Sequence, residues 1–480
     1  MVGAGSVSCA HRACPASRPI IRRTLVSVRT FVSGCAPVRI INRDFTLLWS
    51  GQAISLTGDF VFDTTLTLWV GTELVHGSAA PLAVSGLLVT VALAALLVAP
   101  IAGVYVDRWG DHRRTMMGAD AARAVLIGAV ALLAFLPAHT VPGGVLVAVV
   151  YLAVFLNTAL SQFFNPARFA VTGEVVPEGQ RTRAAGIGQT TQAVAGIVGP
   201  PLAAPLLFTA GTQWALLINA LSYVGSFLLV RALSVRPAPA EAEPAVPAGV
   251  LAELREGMRM AAGNRVVRAL LIAIALISVG VGALNTVNLF FVTDNLHADK
   301  SYFGILDMAL GLGMLGGAVL VTPLATRYGH RVTFPLGLAL LGLLLLAYAR
   351  MTTFWSALVL IALLGPALIA VNMAIAPLVM ESVAKEYLGR VFSAFNPVQQ
   401  VAGVTGMALA GPMAAAWRFS HGSVAGLHVG GIDSILSGGA LLAVLGGVYS
   451  AVAFRSAGAV PAAAPVAQTV PASAPESAEA

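Results

Sequence analysis

Charge is scarce in this chain. Asp, Glu, Lys and Arg make up 10% of its 480 residues, against about 25% in soluble domains. That excludes a water-soluble globular protein, and the 58% hydrophobic content and mean hydropathy of +0.85 call for a polytopic membrane protein. Lysine is almost missing: Lys300 and Lys385 stand alone and neither follows a glycine, so there is no P-loop lysine and no ATP hydrolysis by that route. All three cysteines, Cys9, Cys14 and Cys35, lie in the first 35 residues, so the apolar part holds neither a structural disulfide nor a thiolate metal site. The histidines (His11, His76, His112, His139, His297, His330, His421, His428) fall in the tail or in loops, which argues against a buried metal cluster. The apolar runs contain no His-Glu-x-x-His pattern, no Gly-x-Ser-x-Gly elbow and no cysteine nucleophile, so no enzyme, cofactor or metal is expected.

What is present is a series of apolar runs. The first well-patterned stretch is residues 42–70, and others follow at 81–104, 115–136, 143–165, 184–208 and 213–232. Six more occur at 266–292, 301–325, 332–349, 354–380, 388–416 and 434–454. Each approaches or exceeds the roughly 20 residues that cross a bilayer. The expected fold class is therefore an all-α membrane protein with twelve transmembrane helices in two six-helix bundles, residues 40–235 and 265–456. A basic tail without acids (1–39) precedes them; it reads as disordered and has the composition of a transit peptide, as would residues upstream of a true start codon. A linker (236–264) begins with the Pro/Ala-rich stretch 237–247 and continues into a segment, Leu251 to Asn264, with helical spacing suited to a membrane surface. Residues 457–480 read as a second disordered tail.

The net charge of +7 does not indicate nucleic acid, because the basic residues are spread between apolar runs. With alternating loops and a cytoplasmic N-terminus, 24 of the 28 Lys+Arg fall in the tails and even-numbered loops. Arg123 lies within a span, and Lys300, Arg350 and Arg418 lie on the other side. That asymmetry puts both termini in the cytoplasm. The halves are also related: a shift of 207 residues lays Asn165 on Asn372, Glu174 on Glu381, Arg183 on Arg390, Gln192 on Gln399, Gly196 on Gly403, Gly199 on Gly406 and Pro205 on Pro412. A parallel repeat of six spans places a substrate site between the bundles near the membrane midplane.

The loop from Gly103 to Arg114 carries a specific pattern. Gly103 lets another helix come close, Asp107 can accept hydrogen bonds from a helix N-terminus, Gly110 permits a tight reversal, and Arg108, Arg113 and Arg114 mark the cytoplasmic face. A degenerate copy follows at Arg327, Gly329 and Arg331, with Thr326 in the place of Asp107. This order of residues resembles the loop between helices 2 and 3 of the major facilitator superfamily of transporters. The resemblance extends from about Arg39 to Arg455. It is nearest the macrolide-efflux and enterobactin-exporter-like branch, through Asn42-Arg43-Asp44-Phe45, Leu48-Trp49 and Gly51-Gln52, Asp120 with Arg123, and Phe163-Phe164-Asn165-Pro166-Ala167-Arg168. The fifth span also resembles the family's antiporter motif at Gly186, Gly199 and Pro200, with alanine at Ala195, Ala203 and Ala204 where the motif has glycine. The family's arginine in the middle of span 4 is absent; Asn157 and Gln162 stand there instead.

The resemblance implies a plasma (inner) membrane transporter that works as a monomer on a small molecule, with a cavity lined by spans 1, 4, 7 and 10. Those spans offer Asn157, Gln162, Asn285, Asn288 and Asn372 amid apolar side chains, which suits a bulky amphipathic solute. Ionisable groups inside a bilayer are costly and hence functional candidates. Asp59 and Asp63 lie four apart on one face of span 1, and a proton gradient is expected to couple through Asp63, Asp59 or both; the alternative for Asp59 is to hold a neighbouring helix. Asp307 is expected near the outer mouth, and Asp120 and Arg123 to pair with each other or with the 103–114 loop. The loop and its copy are expected to shut the inner side against the start of span 11, near Leu388 to Arg390. Gly186, Gly196, Gly199, Pro200, Gly403 and Gly406 are expected at close helix contacts. Proton-coupled export of drug-like or siderophore-like compounds is the function expected, with an uptake symporter or a transport-inactive receptor of the same fold as alternatives.

Overall fold

The computed structural model describes residues 40–136, 142–234, 250–384, 387–417, 421–424 and 427–456. Both tails and most of the linker, 236–249, lie outside them. The described chain is helical almost throughout. The first half holds α1 (Arg43–Trp69), α2 (Ala80–Trp109), α3 (His112–Ala134), α4 (Gly143–Val175), α5 (Arg181–Pro205) and α6 (Thr212–Arg231). A short α7 (Val250–Gly263) precedes α8 (Arg265–Phe290), α9 (Phe303–Tyr328), α10 (His330–Tyr348), α11 (Phe354–Ser382), α12 (Leu388–Trp417) and α13 (Gly431–Ser456). One feature was not legible in the composition: a two-stranded antiparallel ladder between α12 and α13, β1 (His421–Val424) and β2 (Leu427–Gly430), with His421 opposite Gly430.

Ten of the long helices are apolar enough to cross a membrane by length and composition. The two that fall short are α1 and α12. Gln52, Ser55, Asp59 and Asp63 dilute α1, and Asn396, Gln399 and Gln400 dilute α12. Both helices pack against several others, α1 on α5 and α6, α12 on α8 and α2, so part of their polar surface meets protein and not lipid. The outward faces carry exposed apolar residues such as Val125, Phe169, Val319 and Trp355. On a water-soluble protein these would form an aggregating surface; against acyl chains they are matched to their solvent.

The two halves repeat pair by pair. α1 packs on α5 and α6, α3 on α4 and α6, and α2 on α4; α8 likewise packs on α12 and α13, α10 on α11 and α13, and α9 on α11. Their first helices are capped alike. Asn42 caps α1 by accepting from the Phe45 backbone N–H, and its amide donates to the carbonyl of Val175 at the end of α4, 2.6 Å away. Asn264 accepts from Val266 and Val267 and donates to the carbonyl of Ser382 at the end of α11, also 2.6 Å away. One side chain thus satisfies an orphan donor at one helix start and an orphan acceptor at another helix end. The turns after α2 and α9 match as well: Gly110 (φ 66°) and Gly329 (φ 77°) occupy backbone conformations that strain any side chain.

The face that holds the starts of α1 and α8 and the ends of α2 and α9 carries Arg108, Arg113, Arg114, Arg327, Arg331 and Arg390, and is called the basic face below. The halves meet through α2 with α12 and α5 with α9. These contacts lie toward the opposite face. The Ser85 hydroxyl donates to the carbonyl of Met407 at 2.6 Å, Gly411 packs against Ser85, and Gly304 packs against the Pro200 carbonyl so closely that no β-carbon would fit. Glu73 and Lys300 form an ion pair there, and the Lys300 ammonium sits 4.3 Å from the Phe208 ring centroid. Hydrogen bonds and ion pairs described at the basic face instead stay within one half. Arg113 donates to the carbonyls of Val230 and Arg231, Arg331 pairs with Glu381, and Arg390 pairs with Glu256 of α7 at 2.8 Å.

Candidate functional site

Closure at one face leaves a cavity of about 620 Å³ between the halves. Its walls come from α1 (Phe60, Asp63, Thr64, Thr67), α5 (Gln192, Gly196, Pro200), α8 (Asn285, Asn288) and α9 (Phe303, Asp307, Leu310, Met314, Leu315), with Leu88 of α2 and Ile369 of α11. This corrects the expected lining. The fourth helix of the first half is replaced in the lining by the fifth, and α9 supplies most of the second half's wall while α11 contributes Ile369, because α5 and α9 are the helices pressed together across the interface. Asn372 is exposed and Gln162 bonds to Thr158 and Ser161 of its own helix; neither is among the residues lining the cavity.

A second, smaller cavity of about 240 Å³ lies within the first half, lined by Gln52, Ser55, Asp59, Asp63, Arg123, Asn157, Ser161, Arg168 and Gln192 among others. Asp63 and Gln192 line both. Asp63 is therefore exposed, but to internal space on two sides.

The polar node beside it is built from four helices. Arg123 of α3 places one guanidinium nitrogen 3.0 Å from Asp59 of α1 and 2.8 Å from the Tyr223 hydroxyl of α6, while its Nε donates to Asn157 of α4 at 3.1 Å. Tyr223 donates to the same Asp59 oxygen at 2.5 Å and accepts from Asn219 at 3.1 Å. Arg123 is 5% exposed and Tyr223 fully buried, so the charge of Arg123 is matched at close range, as burial demands. This corrects the expectation for Arg123, whose ion pair is with Asp59 and not with Asp120 or the loop. Asp120 is buried where α3 meets α6, near Ser226. The span-4 arginine absent from the sequence is thus answered by one from span 3 that reaches the same helix at Asn157. Tyr223 and Asn219 were missed, although their spacing of four in an apolar run puts two polar groups on one helix face.

The second half contributes its own polar wall. The Tyr348 hydroxyl of α10 donates to Asn288 at 2.7 Å, and both residues are buried. Asp307 lies one turn into α9, below the Gly304–Pro200 contact. It is a cavity residue and not a mouth residue, because the mouth is closed above it.

The gating residues are open. Gly103, Gly110 and Gly329 have no neighbour within 4 Å of where a β-carbon would sit, Arg108 is exposed, Arg114 pairs with Asp111 of the same turn, and Arg327 lies over the Tyr328 ring. The side chain of Asp107 lies outside the described residues. Arg390 has its ion pair with α7. Of the small residues, Gly196 and Gly199 pack on Phe60 of α1, Gly406 packs on the Val279 carbonyl of α8, and Gly403 touches α8 near Gly282, while Gly186 meets nothing. Gly199 and Gly406 therefore hold equivalent helix pairs, α1 with α5 and α8 with α12.

A chain with this repeat and this cavity has known counterparts. A family model described as Major Facilitator Superfamily matches residues 48–407 and, in a second alignment, 270–474. Macrolide efflux protein A of Streptococcus pyogenes is 27% identical over 374 residues, 76% of this chain and 88% of that protein. The multidrug efflux pump Tap of Mycobacterium tuberculosis is 28% identical over 335 residues, 68% of this chain and 76% of that one. Among solved structures, a bacterial homologue of the iron transporter ferroportin in an inward-facing state superposes with a TM-score of 0.64 at 16% identity, covering 86% of this chain and 98% of that one.

Proposed function

This chain belongs to the major facilitator superfamily, and on that premise we propose that it is a proton-coupled exporter of amphipathic, drug-like or siderophore-like small molecules in the plasma membrane. The observation that carries the reading is the cavity between the halves. It is large enough for a drug-sized solute, mostly apolar, and bordered by a carboxylate, Asp63, whose side chain makes no hydrogen bond or ion pair among the described residues. Hydrophobic contact supplies affinity without demanding one shape, and the few amides, Asn285, Asn288 and Gln192, orient what enters. The macrolide and multidrug efflux relatives support the same direction of transport.

With the basic face cytoplasmic, as the charge asymmetry indicates, this conformation is open inward. A solute enters from the cytoplasm or inner leaflet. Release requires the α2–α12 and α5–α9 contacts to part and the segment 103–114 to close the inner side with its copy at 327–331, the two-state exchange that alternating access needs. That segment is not the expected loop but helix to Trp109 and again from His112. Asp63 borders both the solute cavity and the polar node, so solute and proton compete for one place. Asp59 keeps Arg123 neutralised while this happens. Asn157 belongs to the node. The chain acts as a monomer with both termini in the cytoplasm.

The experiment is efflux of a macrolide and of a lipophilic fluorescent compound from cells expressing the protein, with and without a proton uncoupler. Energy-dependent loss of either compound that the uncoupler stops supports the reading. Accumulation driven by the same gradient reverses it in favour of an uptake symporter, and no movement of any solute tried would sink the exporter.

A further inference from the structure

Resting on the transport reading above, we propose that the solute is an amphipathic organic cation such as a protonated amine, and that Asp307 selects it by charge. The cavity between the halves has two ionisable members, Asp63 from the first half and Asp307 from the second, and no Lys, Arg or His among its lining residues. The buried cation nearest in the fold, Arg123, is already saturated by Asp59, Asn157 and Tyr223 and lines the smaller cavity instead.

Asp120, whose carboxylate oxygens have no hydrogen-bond partner among the described residues, is buried near Ser226 between α3 and α6 and does not line this cavity. Two further interior acids are held by protein. Asp59 has Arg123 and Tyr223, and Asp433 has Asn295. Asp307 makes no hydrogen bond or ion pair among the described residues, yet it shares the wall of a mostly apolar cavity with Phe303, Leu310 and Met314 of its own helix. A carboxylate in such a place is unfavourable until a counter-ion or a proton reaches it. A solute that brings the counter-ion itself gains that interaction, whereas a neutral one of equal shape leaves the acid unpaired, and an anionic one meets two carboxylates with no cation to offset them.

The neighbouring wall completes the description of the ligand. Asn288 accepts from Tyr348 through its carbonyl oxygen, which leaves its amide N–H groups to donate. A solute with a positive nitrogen near Asp307, an accepting oxygen toward Asn288 and an apolar body against Phe60, Phe303 and Leu315 fits what lines the cavity. The two acids then differ in duty: Asp63, bordering the polar node, exchanges the proton, and Asp307 reads the charge of the cargo.

The test uses the purified full chain in lipid nanodiscs. Radiolabelled tetraphenylphosphonium is bound, then displaced by a benzyl-alkylammonium ion or by its neutral carbon isostere. The ammonium is expected to displace at a concentration at least about tenfold below that of the isostere, the scale of a partly desolvated charge pair. Asp307→Asn should erase that preference while still binding the isostere, and Asp307→Glu should keep it. Absence of tetraphenylphosphonium binding, equal displacement by both competitors in the wild type, or an unchanged preference in Asp307→Asn would each overturn charge selection. Vesicle transport separates the two readings. Discriminating binding without gradient-driven movement removes the transporter and leaves the cation site, while equal pumping of the ammonium and its isostere removes the cation site and leaves the transporter.

Discussion

Asp59 on α1 and Arg123 on α3 meet at 3.0 Å in the interior of the first half. Asp63, one turn further along α1, opens on internal space instead. Two acids of one helix face therefore have different neighbours, and their substitutions should fail in different ways.

Asp59→Asn leaves Arg123 short of its counter-ion, and an uncompensated buried charge costs about 3 kcal/mol or more. Lower yield and a lower unfolding temperature in detergent are expected, with partial recovery in Asp59→Asn combined with Arg123→Gln. Asp63→Asn removes a carboxylate whose side chain has no hydrogen bond or ion pair among the described residues, so its thermal stability should match wild type while uncoupler-sensitive efflux disappears. A stable Asp59→Asn protein, or an Asp63→Asn protein that still pumps against a gradient, would reverse the assignment of roles.

The node should also respond to loss of its neutral members. Tyr223→Phe deletes one hydrogen bond to Asp59 and one from Arg123, and Asn157→Leu deletes the acceptor for Arg123 Nε. Hydrogen bonds to charged groups contribute about 1.5–3 kcal/mol each. Thermal unfolding should fall for both, more for Tyr223→Phe, since it loses two such bonds. Equal stability of both variants and wild type would mean that water replaces the hydroxyl and amide.

Much of this architecture was legible because membrane helices announce themselves by length and apolarity, and because the internal repeat aligns Gly199 with Gly406, each of which packs on the first helix of its half. The acids of span 1 were legible for the same reason, as charges where charges are costly. What escaped were relations between helices far apart in sequence. Nothing in the spacing of Asp120 and Arg123 says that the arginine turns toward Asp59, 64 residues earlier. Nor does hydropathy reveal which conformation is adopted, and the position of Asp307, mouth or cavity, depends wholly on the contact of Gly304 with Pro200. The cavity lining was misjudged at Asn157, which lines only the smaller cavity, and at Gln162 and Asn372 for a related reason, since helix rotation is set by packing and not by polarity alone.

Close packing predicts a sharp contrast among glycines that look alike in sequence. Gly186 has open space around it, so Gly186→Ala should change stability by less than about 0.5 kcal/mol. A β-carbon at Gly406 would collide with the Val279 carbonyl of α8, and overpacking of this sort costs about 1–3 kcal/mol. Gly406→Ala should therefore unfold at lower temperature and Gly406→Val should not accumulate in the membrane. Tolerance of both would show that α8 and α12 separate without penalty.

The last prediction concerns the closed face. Beside the α5–α9 contact of Gly304 with Pro200, three contacts hold it: the exposed Glu73–Lys300 pair, the Ser85–Met407 hydrogen bond and the packing of Ser85 on Gly411. An exposed ion pair contributes about 0–1 kcal/mol, so Lys300→Met should shift the balance of states by a factor of about five at most. Ser85→Leu does more, because it removes the hydrogen bond and wedges a branched side chain against the backbone of Gly411. With the native cysteines replaced by serine and a cysteine introduced in place of Ala193, which lines the main cavity, a membrane-impermeant maleimide added from outside the cell reports opening of that face. Labelling should be slow in the parent, slightly faster with Lys300→Met and at least about tenfold faster with Ser85→Leu, a shift of roughly 1.4 kcal/mol or more. Equal labelling in all three would mean that the α2–α12 contact does not restrain the opening. Faster labelling from the cytoplasmic side alone would mean that the closed face is held elsewhere, leaving the α5–α9 contact at Gly304 and Pro200 as the restraint.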